Sequence, residues 1–252
     1  MREILNISEK FIFVHIPKTA GTSFRKLLTD IFGEDQVSLQ FSGKRLTDDD
    51  AVMLDKFQVI AGHIGFADIE KYFPNRRLIT ILREPVDRCL SIYGFLREKK
   101  ELPLIPMNEI KDGANPFEVS SLAKQLSPDD FFNANHPRLL QRISNRMVWQ
   151  FGFHTNHDNR AKYSDGEILV AAKSNLKKCD FVGFFENLDS DAEHLLQKFN
   201  LNGNISLSKN NPTLAPIRKN QISAELHKKI SALNTLDSEL YQWAKCEFGS
   251  DQ

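Results

Sequence analysis

The sequence predicts an α/β fold: a single domain over residues 1–252 with a central, mostly parallel sheet flanked by helices. Three observations predict it. Four short apolar runs, 11–16, 58–62, 77–82 and 180–184, have the length and the β-branched or aromatic content of buried strands. Helical patterns separate them, so the strands are joined by crossovers, and crossovers leave neighbouring strands parallel. The chain has 252 residues, 41% of them hydrophobic and 26% charged, which suffices for a sizeable core and excludes a disordered or low-complexity chain.

Residues 11–16, FIFVHI, form the first strand. The loop P-K-T-A-G-T-S follows, then a helix with Phe24, Leu27, Leu28 and Ile31 on one face. Residues 47–57, TDDDAVMLDKF, open with Thr47 as a cap and three acids in the first turn, where they complement the helix dipole. The strand 58–62 ends at His63, and the strand 77–82 ends at Arg83. Pro85 stands where a helix can begin, and Leu90, Tyr93, Gly94 and Leu96 carry it to about Arg97.

Residues 99–137 form an irregular insertion broken by Pro103, Pro106, Pro116, Pro128 and Pro137, with short helical pieces such as 117–126. Two readings stand side by side: a lid or acceptor-binding wall, and a surface excursion without a role. Ser164 with Glu167 makes a capping box for a helix to about Lys178. DFVGF, 180–184, is the next core strand, and Ser190 with Glu193 repeats the capping pattern before HLLQKF. A polar loop spans 209–220. One amphipathic helix over about 222–247, carrying Leu226, Ile230, Leu233, Leu240 and Trp243, closes the chain.

Lys plus Arg and Asp plus Glu both number 33, so the net charge is zero. A general nucleic-acid binder needs a basic excess, whereas a local basic pocket for one nucleotide does not. Cys89, Cys179 and Cys246 are odd in number and far apart, so neither a disulfide framework nor a zinc site is expected and a reducing compartment is the simpler reading. No run approaches the ~18–20 apolar residues of a membrane span. The first strand begins about ten residues from Met1, which leaves no room for an anchor, so a cytoplasmic protein is expected.

Chemistry concentrates at three strand ends. Lys18, Thr19, Ala20, Gly21, Thr22 and Ser23 join a strand to a helix, where backbone N–H groups converge at the positive end of the helix dipole. Gly21 admits close approach of an anion, Lys18 adds a mobile charge, and the hydroxyls add donors. This is not G-x-x-x-x-G-K-[ST], since Lys18 precedes Gly21 by three. Arg83 leaves a strand and Ser91 lies eight residues on, in the next helix, so a guanidinium and a hydroxyl suit a second phosphate. A salt bridge to Glu84 or Asp87 is the plainer use of Arg83. His63, in AGHIGF, offers an imidazole for taking a proton from a hydroxyl. In open α/β sheets ligands sit beyond the carboxyl ends of the strands, so one crevice would collect all three.

These motifs resemble those of a known family. HIPKTAGTSF is similar to the 5′-phosphosulfate loop of sulfotransferases, which use 3′-phosphoadenosine 5′-phosphosulfate (PAPS). ILREPVDRCLSIYGFLR resembles their 3′-phosphate motif, and AGHIGF the Gly-His segment of the heparan sulfate 2-O-sulfotransferase branch. NRMVWQFGF, CDFVGFFENLDS and IRKN follow in that branch's order, so the resemblance covers about 11–248. It implies that Lys18 contacts the sulfate and leaving phosphate, that the loop 19–23 lines the phosphate, and that Arg83 and Ser91 hold the 3′-phosphate. His63 is then the general base, Arg218 and Lys219 close over the nucleotide, and Glu186 serves helix entry. No metal is expected; the resemblance implies a saccharide hydroxyl as acceptor, with a lipid, a small natural product or a tyrosyl protein left open, and since segment 99–137 shows no match the family's glycosaminoglycan acceptor does not carry over. Phe117, Phe131, Phe132 and Trp149 are candidates to stack on a sugar, with core packing the alternative. The rival readings are a P-loop kinase-like phosphotransferase and a non-catalytic nucleotide-binding protein on the same fold.

Overall fold

The computed structural model of the protein describes residues 9–42, 45–111, 115–153, 162–202 and 217–249. The chain divides into two compact units: one of residues 1–83, 147–210 and 240–252, the other of 84–146 and 211–239.

The first unit is built on a five-stranded sheet with every neighbouring pair parallel, in the order β2-β3-β1-β4-β5. The strands are β1 (Phe11–Val14), β2 (Phe41–Ser42), β3 (Val59–His63), β4 (Arg77–Leu82) and β5 (Phe181–Phe184). Four match the apolar runs of the sequence. The two-residue β2 does not, because a strand that short carries no alternation to read. It pairs Phe41 with Gly62. A Cβ at position 62 would lie 2.6 Å from the Phe41 carbonyl oxygen, so glycine is what admits this edge strand.

Helices α1 (Gly21–Phe32), α2 (Asp48–Leu54) and α3 (Phe66–Tyr72) alternate with these strands, and α9 (Asp165–Leu176), α10 (Leu188–Lys198) and most of α8 (Arg146–Gly152) and α12 (Thr235–Phe248) complete the unit. Period-two alternation sorts the sheet. Phe11, Phe13, Val59, Ala61, Ile79, Ile81 and Phe181 form one core with Phe24, Leu27 and Leu28 of α1 and Ala192 and Leu195 of α10. Ile12, Val14, Ile60, Thr80, Leu82, Val182 and Phe184 face the other side and are equally buried. Thr47 caps α2 and Ser164 caps α9, each in a capping box, with Asp50 and Glu167 respectively. The second pattern misleads: α10 already starts at Leu188, and the Ser190 hydroxyl donates to the Asn187 carbonyl from inside the helix.

The second unit is helical. It contains α4 (Pro85–Glu98), α5 (Glu118–Gln125), α6 (Pro128–Asn133), α7 (Pro137–Ile143) and α11 (Ala224–Leu233). Val119, Leu122, Ala123, Phe131 and Phe132 pack with Val86, Leu90 and Tyr93 of α4 and with Leu226 and Ile230 of α11. Residues 99–137 therefore supply much of this unit's core, and the surface-excursion reading is corrected. Phe131, Phe132 and Trp149 are buried, so their rings serve packing. The predicted single C-terminal helix is two, α11 and α12, broken at Asn234. The Asn234 side chain accepts from the Asn145 N–H and donates to the Ile230 carbonyl, contacts that a continuous helix would not leave available. Cys89, Cys179 and Cys246 are all free thiols. Among the described residues no helix is long and apolar enough to cross a membrane.

Candidate functional site

The strand order explains why three distant segments meet. β1 is central, with β3 on one side and β4 on the other, and all run the same way. Their carboxyl ends therefore sit side by side, where the connection from β1 leads to β2 on one side of the sheet and that from β4 leads to β5 on the other. Lys18 follows β1, His63 ends β3, and Arg83 follows β4.

The loop after β1 is strained. Lys18 (φ 71°) and Ala20 (φ 65°) both adopt left-handed backbone conformations without being glycine, which costs free energy and concentrates at functional sites. Ala20 is also the N-cap of α1, where an alanine has no side chain to satisfy the first-turn N–H groups, and no acid stands in that turn. The start of α1 thus offers backbone donors and a positive dipole end, with Lys18 beside them.

The loop residues have distinct tasks. Thr19 is fully buried, and its hydroxyl donates to the Ile16 carbonyl at 2.9 Å. That hydroxyl braces the loop from within. Thr22 is exposed and Ser23 is buried. Gly21 has a reason the sequence does not reveal. A Cβ there would fall 1.7 Å from Nε2 of His15 and 2.0–2.1 Å from two ring carbons, so the imidazole occupies the place a side chain would take.

Arg83 is tied to the same loop. Its Nη1 donates to the Lys18 carbonyl at 3.1 Å, and its guanidinium stacks on Phe185 with 3.9 Å to the ring centroid. Glu84, the alternative partner weighed from the sequence, caps α4 by accepting from the Asp87 N–H. Glu186, expected at the helix entry, lies in the 3-10 turn Phe185–Asn187 and accepts from the Tyr241 hydroxyl at 2.7 Å.

His63 is partly exposed, and both its ring nitrogens are engaged. Nδ1 donates to the His15 carbonyl at 2.7 Å, and Nε2 lies 2.7 Å from the Gln40 amide nitrogen. The His15 ring lies 4.5 Å from it, centroid to centroid. Burial, His63 and Lys18 hold the His15 imidazole well below its ordinary pKa, so it is neutral. His15, Gln40 and Gln150 are the neighbours that sequence reasoning missed. His15 stands beside the predicted loop, and Gln150 lies within NRMVWQFGF, so each had a positional signal; Gln40 had none.

Ser91, Arg218 and Lys219 belong to the second unit. Ser91 is half-buried in α4. Arg218 precedes the 3-10 turn Lys219–Gln221, its N–H donating to the Gln221 side chain, and both basic residues are exposed. Residues 209–216 of the predicted polar loop lie outside the described residues. Arg88 is fully buried; it donates to the Arg142 and Ile143 carbonyls and lies 3.9 Å from Asp237.

Comparison with known proteins agrees with these motifs. A model of the Sulfotransferase family matches residues 4–244. Heparan-sulfate 6-O-sulfotransferase 2 of Homo sapiens is 26% identical over 279 aligned positions, covering 93% of this chain and 44% of that protein. The Gallus gallus protein of the same name is 25% identical, covering 93% of this chain and 65% of its own length. The chain thus spans less than half the length of its human and mouse relatives. These relatives are named 6-O-sulfotransferases, whereas AGHIGF resembles the 2-O branch. Among solved structures, mouse sulfotransferase SULT7A1 complexed with PAP shares the fold. Its TM-score is 0.52 at 12% identity, covering 94% of this chain and 89% of that one.

Proposed function

The chain belongs to the sulfotransferase family, and from that membership we propose that it moves a sulfuryl group from PAPS to an acceptor hydroxyl, most plainly that of a saccharide. The single observation that carries the reading is the meeting of three groups at the ends of β1, β3 and β4. These are the strained, uncapped start of α1 with Lys18, the Arg83 guanidinium bonded to that loop, and an imidazole whose Nε2 can accept a proton. The names of the relatives support the saccharide class, and the PAP complex of the structural neighbour supports the nucleotide.

Each residue then has a chemical task. His63 takes the acceptor proton at Nε2 as the hydroxyl oxygen attacks sulfur. Its Nδ1–H, held by the His15 carbonyl, disperses the charge that the ring gains. Negative charge grows on the oxygen bridging to the leaving phosphate. The α1 N–H groups and Lys18 meet that charge with dipoles already oriented. Arg83 supplies a second cationic contact, for the 3′-phosphate. The motif resemblance also gives Ser91, Arg218 and Lys219 parts in nucleotide binding.

The test is mass spectrometry of a heparan-class oligosaccharide panel incubated with protein and PAPS. One sulfuryl group should be gained per modified hydroxyl. His63→Ala should lose on the order of 10²–10⁴ in rate while still binding adenosine 3′,5′-bisphosphate. Near-normal turnover in that variant would remove His63 from the base role.

A further inference from the structure

A general base can offer only the ring nitrogen that carries no proton, and the partner of the other nitrogen decides which that is. In His63 the deciding partner is a backbone carbonyl. Nδ1 lies 2.7 Å from the His15 oxygen, which can only accept, so Nδ1 bears the hydrogen and Nε2 keeps the lone pair. The position of that carbonyl therefore governs the base.

His15 lies just past the end of β1, and its N–H still donates to the Gly62 carbonyl at 2.9 Å. Its oxygen, beyond the ladder, receives a second hydrogen bond from Nε2 of Gln150 at 3.0 Å. The same amide nitrogen is 3.3 Å from the Ile64 carbonyl, one residue past His63. One side-chain amide on α8 thus ties together the exits of β1 and β3 that flank the imidazole. Gln150 is fully buried, and among the described residues its Oε1 meets no hydrogen-bond donor. A methionine would fill that volume with no oxygen left unsatisfied, so the amide is poorly explained by packing alone.

We propose that Gln150 is a positioning residue for His63, holding the His15 carbonyl so that the imidazole stays in its Nδ1–H tautomer with Nε2 available as the base. Gln40 reinforces the arrangement from the open side. Its amide nitrogen is 2.7 Å from Nε2 of His63 and 3.2 Å from Nδ1 of His15, one hydrogen for each ring. It stands where an acceptor hydroxyl would donate, and its exposed side chain can give way. Among the described residues, His15 and Lys18 are titratable neighbours of this network, and both glutamines are neutral. The proposal rests on the reading of His63 as the base.

Long-range ¹H–¹⁵N correlation spectra of the full chain test it, with the His63 resonances assigned by comparison with His63→Ala. The wild type should show neutral His63 predominantly as the Nδ1–H tautomer; a predominant Nε2–H tautomer would overturn the proposal without any variant. Gln150→Met should shift His63 toward the Nε2–H form. It should also lower kcat by ~10–100-fold, the range seen when a histidine that ligates a metal loses an outer hydrogen-bond partner, with affinity for adenosine 3′,5′-bisphosphate unchanged. An unchanged tautomer in a folded Gln150→Met protein would overturn it as well. The spectrum needs no turnover, so a failure of the sulfotransfer reading on every acceptor stays distinguishable from a failure here.

Discussion

Gly21→Ala is the most informative single perturbation of the loop. The new methyl carbon would lie 1.7 Å from Nε2, 2.0 Å from Cδ2 and 2.1 Å from Cε1 of His15. Restoring ordinary contact requires the ring to retreat by more than 1 Å. The ring has little room: it is 8% exposed, lies parallel to Phe13 at 5.5 Å between centroids, and accepts from Gln40. Overpacking of this kind costs roughly 1–3 kcal/mol, and losing the Gln40 hydrogen bond adds about 0.5–1.5. Replacing glycine by alanine in a helix returns at most about 1 kcal/mol. Gly21→Ala should therefore destabilise by about 1–3 kcal/mol net. In a His15→Ala background the same change should be neutral or mildly stabilising, because the methyl then enters vacated space. Urea unfolding of the four proteins, followed by tryptophan fluorescence, reads the coupling; Trp149 and Trp243 both lie in the unit that holds the loop. Equal costs of Gly21→Ala with and without His15, to within about 0.5 kcal/mol, would refute the claim that the imidazole is what requires glycine.

Three further outcomes follow from the same contacts. Arg83→Ala should weaken binding of adenosine 3′,5′-bisphosphate in calorimetry, and unchanged affinity would remove the 3′-phosphate assignment. Burial pushes the Asp191 carboxyl up to about 6 from 3.8, with the Phe184 N–H opposing it, so its contribution to stability is full below pH ~4 and is lost as pH rises through about 6. That swing is on the order of 3 kcal/mol at 1.36 kcal/mol per unit, and Asp191→Asn should flatten it in urea midpoints measured at pH 4, 5, 6 and 7. In the second unit, Asp237→Ala should destabilise by about 3–5 kcal/mol, because it leaves Arg88 buried without its carboxylate. A near-neutral thermal shift would show that the two carbonyls holding Arg88 suffice.

Much of this molecule was legible as one-dimensional pattern. FIFV, RLITIL and FVGF read as strands because buried parallel strands are apolar along their whole length. Thr47 and Ser164 announced their helices because a capping box is local, closed within four residues. Lys18, His63 and Arg83 were visible because each stands at or just past the end of a strand. Where signals were local but ambiguous, the reading erred. Ser190 and Glu193 copy a cap from inside a helix, and the periodicity of 222–247 runs unbroken across Asn234, where contacts to a residue 89 positions away set the break.

The sequence by itself determined the strand–loop–helix start, the residue types at the strand ends and the family they point to, since each is written in a few consecutive residues. The tertiary structure alone decided the order β2-β3-β1-β4-β5 that sets those ends side by side, and the His15 ring that makes Gly21 obligatory. It also decided the tautomer of His63, which hangs on a carbonyl 48 residues away, held in turn by an amide 135 residues beyond it. Hydrogen bonds between groups so far apart along the chain leave no periodic trace in sequence; only folding brings the partners within reach.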